Sequence, residues 1–164
     1  VDAGDGLIVT PRDIDRYVKD AGKLIAYALN LALRGILHRG DHVLVTHDAH
    51  NAVMRPLAGM ERRGEITLSV LRAGEDGLIL PEAIDEAVTP STALCVFTHA
   101  SNVTGVVQPV AELTQAAHRY GLPVLVDAAQ TAGVLPGITR SLALGFSPAS
   151  SAPRATDAAL ARSS

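Results

Sequence analysis

The 164-residue chain has one cysteine, Cys95, which excludes an intrachain disulfide framework and fits a reducing cytosol. It has no apolar run long enough to cross a bilayer, so a membrane partner is not expected. Its first residues, Val1, Asp2 and Ala3, lack the charged-then-apolar layout of a secretory signal, and a cytoplasmic setting is the expectation. Charge is sparse at 19%, and the balance of 14 basic against 17 acidic residues leaves −3, which argues against nucleic acid held by bulk charge. Aromatics make up only 3%. Arg outnumbers Lys twelve to two, and no lysine follows Lys23. No G-x-G-x-x-G follows a candidate strand, which disfavours a dinucleotide fold, and no G-x-S-x-G supplies a hydrolase nucleophile elbow.

What is present is hydrophobic residues at 48%, in a length that suits one sizeable core. The middle of the chain alternates two patterns. Residues 42–46, 66–71, 92–98 and 123–126 are short apolar runs rich in β-branched side chains, as in buried strands. Between them, 51–63, 81–88 and 109–120 carry apolar residues at helical spacing, and Gly64 and Gly121 follow two of these as C-caps. A longer helical pattern starts at Thr10-Pro11 and continues to Leu37. Strands alternating with helices imply an α/β fold of three layers, a mostly parallel sheet flanked by helices. The alternation stops after 136. Residues 137–164 hold six Ser, seven Ala, three Arg and one acid, Asp157, and are expected to be a low-complexity, disordered tail.

In an open parallel sheet, ligands bind beyond the carboxyl ends of the strands. The polar residues there are His47, Asp48, His50 and Asn51 after the first strand, His99, Ser101 and Asn102 after the third, and Asp127 and Gln130 after the fourth. Each has an ordinary structural reading: Asp127 as an acceptor for the following turn, His50 as a loop histidine, Asn102 as a turn former, Gln130 as a helix-start residue. Asp127 also suits a ligand cation or a metal. His47, Asp48 and His50 could form a metal cluster, with Asp127 joining it in a metal-dependent hydrolase. Ser101, His99 and Asp127 are the residue types of a hydrolytic triad.

Three blocks carry a resemblance. His50-Asn51-Ala52-Val53, then Thr98-His99-Ala100-Ser101-Asn102-Val103-Thr104-Gly105, then Leu125-Val126-Asp127-Ala128-Ala129-Gln130-Thr131-Ala132-Gly133 resemble the cysteine desulfurase branch of the class V aminotransferases, in order and in spacing. Asn30 to Gly35 followed by Gly40-Asp41-His42-Val43 is similar too. The resemblance covers 28–136 and implies part of the large domain of a fold type I transferase dependent on pyridoxal 5′-phosphate. Residues 1–27 then form a divergent, partly helical N-terminal segment.

The resemblance also implies roles. His50 stacks on the pyridine face of the cofactor, Asp127 pairs with the protonated ring nitrogen, Gln130 hydrogen-bonds the phenolic oxygen, and Asn102 lies near that oxygen and the substrate. The resemblance implies a homodimer, usual in the family, with an amino acid as small-molecule substrate. Two family features are missing: a lysine in a His-Lys pair beyond the aspartate, and a small-residue phosphate turn before Asn30, where Leu24-Ile25-Ala26-Tyr27 stands. The expectation is therefore a truncated or frameshifted chain, inactive alone, with no catalytic residue of its own. Its parent enzyme would cleave the C–S bond of cysteine or act on a related amino acid. The alternatives left open are a non-catalytic interaction fragment and the metal-dependent hydrolase.

Overall fold

The computed structural model of the protein describes residues 11–132. The expected N-terminal loop over 1–9 and the expected tail over 137–164 lie outside the described residues. The elements follow in the order α1 (Pro11–Ile36), β1 (His42–Thr46), α2 (Asn51–Arg62), β2 (Thr67–Leu71), α3 (Glu82–Ala87), β3 (Thr92–Thr98), α4 (Val110–Arg119) and β4 (Val124–Asp127). All four strands are parallel and stand in the order β2-β1-β3-β4. This is the expected three-layer α/β architecture.

Side-chain alternation along the strands builds two cores. Val43, Val45, Leu94 and Val96 face one side and pack against Leu29 and Leu33 of α1, Leu37 just beyond it, and Val53, Leu57 and Met60 of α2. Leu44, Cys95 and Phe97 face the other, against Ile84 of α3 and Val110, Leu113, Ala116 and Ala117 of α4. Fully burying one such Leu or Phe contributes about 1.5–3 kcal/mol. Burial raises the Cys95 thiol to about 12, so it is an inert apolar filler rather than a nucleophile.

The connections explain where a site can form. The chain leaves β1 toward β2 through α2 on one face, then returns over β1 to β3 through α3 on the opposite face, and continues outward to β4 through α4. The exits of neighbouring β1 and β3 therefore diverge to opposite sides of the sheet, which opens a crevice at their carboxyl ends. His42 closes the other end of the sheet. Its Nε2 lies 2.9 Å from the Ser69 hydroxyl on β2 and its Nδ1 2.8 Å from the Thr92 hydroxyl on β3.

One polar contact ties α1 to α2. Pro56 lies inside α2 and has no N–H, so the Ala52 carbonyl one turn earlier loses its helical donor. The Asn30 side chain of α1 donates to that carbonyl at 3.4 Å and to Ala26 of its own helix at 2.8 Å. Asn30→Ala is expected to destabilise the fold by about 1 kcal/mol, and by at least ~0.5 kcal/mol less when Pro56→Ala restores the helical donor. Urea denaturation of the four-member cycle measures this; equal losses in both backgrounds would contradict the contact.

Candidate functional site

At the crevice, a pocket of about 190 Å³ opens between the strand ends and α1. Its floor follows from register. Thr98 of β3 pairs with Asp127 of β4, so the two side chains leave the sheet on the same face. That face is the one covered by α1 and α2, as the burial of Val96 and Leu125 two residues earlier shows. The Thr98 N–H donates to the Thr46 hydroxyl at 3.1 Å, locking β3 to β1, while the Thr98 hydroxyl is buried with no hydrogen-bond partner among the described residues. Asp127 is buried, and its Oδ1 accepts the Ala129 N–H at 3.1 Å. Its Oδ2 accepts no hydrogen bond among the described residues, nor is any cation paired with it.

The walls come from loops and helices. His50 is the N-cap of α2: its Nδ1 accepts the Ala52 N–H at 3.1 Å, which assigns the proton to Nε2 and fixes the ring. Asn102 sits in a turn in which the Ser101 carbonyl accepts the Gly105 N–H at 3.0 Å, closed by Gly105 at φ 74°, a conformation that favours glycine. Ala129 and Gln130 belong to the turn after β4. His99 holds that turn. Its N–H donates to the Asp127 carbonyl at 3.0 Å, and its Nδ1 lies 2.7 Å from the Thr131 hydroxyl. The remaining wall is Gly22, Ile25, Ala26 and Leu29, one face of α1.

The pocket thus gathers all four residues expected there, His50, Asn102, Asp127 and Gln130. The Asn102 and Gln130 amides make no hydrogen bond among the described residues. A neutral-donor rim, one carboxylate and one imidazole face fit a small flat heteroaromatic ligand. The metal reading of His47, Asp48 and His50 is not supported. Among the described residues no three His, Cys, Asp or Glu side chains converge. Asp48 is held instead by the Gln108 amide at 3.3 Å, and His50 caps its helix. The triad reading fails as well, because the Ser101 hydroxyl accepts the Val103 and Thr104 N–H groups and His99 bonds Thr131.

The Aminotransferase class-V family model matches residues 17–151. The chain belongs to the class-V aminotransferase family. Family members depend on pyridoxal phosphate. The chain is 36% identical over 120 residues to a probable cysteine desulfurase of Methanothermobacter thermautotrophicus, covering 73% of this chain and 30% of the relative. Among solved structures it is similar to DndA from Streptomyces lividans, with TM-score 0.60 and 34% identity over 69% of this chain and 33% of that one. It is also similar to SspA in complex with cysteine, with TM-score 0.61 and 28% identity over 65% of this chain and 32% of that one. The chain spans about 30% of the length of the curated relative it matches. It is a cysteine desulfurase-like class-V domain.

The sequence reads Thr98 as strand rather than rim, although it shares the strand-end position of Asp127. Of the α1 wall, Ile25 and Ala26 stand where the resemblance puts a phosphate turn, whereas Gly22 and Leu29 carry no signal, because residues at helical spacing read alike whether they face a core or a pocket.

Burial holds both His42 and His99 below the usual 6.5. Between the lowered folded values and 6.5, the unfolded chain binds protons that the folded chain refuses. Stability should therefore rise with pH up to about 6.5 and level off above it. Denaturation midpoints at about pH 5 and about pH 7.5 measure this. The His42→Gln/His99→Gln double variant should show a shallower dependence, and an unchanged slope would contradict the assignment.

Proposed function

We propose that this chain forms the ring-binding part of a pyridoxal phosphate site of cysteine desulfurase type, and that the full enzyme acts on cysteine or a related amino acid. The observation that carries this reading is the convergence of His50, Asn102, Asp127 and Gln130 on one pocket at the β1/β3 crevice. The complex of the neighbour SspA with cysteine supports the substrate class.

The residues fit the ring end of the cofactor. Asp127 Oδ2, unpaired in a buried setting, is placed to accept the N–H of a protonated pyridine and to hold that proton in place. The His50 ring, fixed by its bond to the Ala52 N–H, offers a face for stacking. Asn102 and Gln130 offer amide N–H groups to a phenolic oxygen. When bound, the cofactor supplies an electron sink for bonds at the amino acid's α-carbon, and a protonated ring nitrogen strengthens that sink.

Lys23 does not line the pocket: it is bonded to Asp20 at 3.3 Å with 79% of its side chain exposed. Covalent chemistry is assigned to the full enzyme rather than to this residue. A second copy of the chain is the proposed partner. On α1, Leu24, Tyr27 and Leu31 are 69%, 72% and 64% exposed at helical spacing, an apolar strip that a partner surface would cover. A cytoplasmic setting accords with a single, buried thiol.

Pyridoxine has the ring without the reactive aldehyde and is the direct probe. Asp127→Asn should weaken its binding to the chain by about tenfold or more, the size of one charge-assisted hydrogen bond, with unchanged circular dichroism. Equal binding by the two proteins would contradict the role of Asp127.

A further inference from the structure

We propose that Thr98 is a second binding residue for the ring nitrogen: its hydroxyl stands beside Asp127 as an acceptor and shares the N–H of a protonated pyridine. The inference rests on the ring-binding reading above and adds a residue to which the family resemblance assigns no role.

The position of Thr98 is set by the sheet. Thr98 closes β3, Asp127 closes β4, and the two are Cα partners in the parallel ladder. Neighbouring strands lie about 4.8 Å apart. Paired side chains leave on the same face, so the Thr98 hydroxyl and the Asp127 carboxylate border one stretch of the pocket floor. The backbone there is clamped on both sides. The Thr98 N–H donates to the Thr46 hydroxyl at 3.1 Å, and the next N–H, of His99, donates to the Asp127 carbonyl at 3.0 Å. A hydroxyl held this way needs little ordering when a ligand arrives.

The hydroxyl has no structural task. Thr98 is 5% exposed, and its Oγ1 is buried with no hydrogen-bond partner among the described residues. Two other buried side-chain oxygens there share that state, Asp48 Oδ1 and Thr114 Oγ1, and neither borders the pocket. A buried hydroxyl without a partner costs stability. Valine has nearly the same shape and suits a strand at least as well. Packing therefore does not account for a threonine at this place, whereas a polar hydrogen on a ligand does. Thr98 Oγ1 and Asp127 Oδ2 do not bond each other although they sit on paired residues, so the gap between them admits a donor that reaches both. A cationic ring N–H is such a donor: the carboxylate supplies charge and the hydroxyl a further lone pair. Accepting from the charged form of the ring favours that form.

The test titrates pyridoxine calorimetrically into the full chain and into its Thr98→Val and Thr98→Ser variants, with urea denaturation of each free protein alongside. Thr98→Val should bind about fivefold more weakly, the size of one hydrogen bond, while the free variant unfolds at the same or a higher urea concentration. Thr98→Ser keeps the hydroxyl and should bind as the wild type does. The ¹⁵N signal of ring-labelled pyridoxine should show the bound nitrogen losing its proton at lower pH in Thr98→Val than in the wild type, a change that a packing role would not produce. If Thr98→Val binds as tightly as the wild type while Asp127→Asn weakens binding, the role of Thr98 is overturned and the ring-binding reading stands. If Thr98→Val and Thr98→Ser both lose affinity together with urea stability, Thr98 is structural and the proposal is overturned. If the wild type binds no pyridoxine, both readings fall.

Discussion

The in-register parallel pairing of β3 with β4 is the constraint on which the site depends. It places Thr98 beside Asp127 and sends both side chains to the α1/α2 face. A slip of one residue would turn Asp127 into the α3/α4 core, where a carboxylate has no partner. The register is held by apolar pairs on both faces, Val96 beside Leu125 on one side and Phe97 beside Val126 on the other. The polar rim is therefore stabilised by packing that takes no part in binding. The diverging connections from β1 and β3 complete the arrangement, bringing His50 and Asn102 to the crevice from different loops.

The second determinant is α1. Its C-terminal half is an ordinary core helix through Leu29 and Leu33. One turn earlier, the face that continues from Leu29 to Gly22 borders the pocket. Asn30 sits at the junction of the two roles. Its amide supplies the donor that Pro56 denies to Ala52, next to the helix cap that orients His50. The pocket's shape and its fold stability are linked through that amide.

Much of this was legible in the sequence. The strands His42–Thr46 and Thr92–Thr98 lie at the residues where their β-branched runs begin and end, and α2 stops one residue short of the expected bound. Buried parallel strands are easy to recognise because both faces demand apolar residues. The clustering of His50, Asn102, Asp127 and Gln130 was legible for a similar reason, since strand ends in a parallel sheet share one rim. What stayed hidden depends on three-dimensional neighbours. Asp48 reads as a metal ligand until Gln108, sixty positions on, is seen to hold it. Ser101 reads as a nucleophile until its turn is seen to engage the hydroxyl. Leu24 to Leu31 shows helical periodicity without revealing which residues meet core, pocket or solvent.

The proposed role of Asp127 is to hold a proton on the ring nitrogen of a bound pyridine. The most direct measurement is the ¹⁵N chemical shift of ring-labelled pyridoxine in complex with the chain, followed as pH is raised. The predicted result is a pyridinium shift that persists to higher pH than in the free ligand. A bound nitrogen that loses its proton at the same pH as the free ligand would contradict the account.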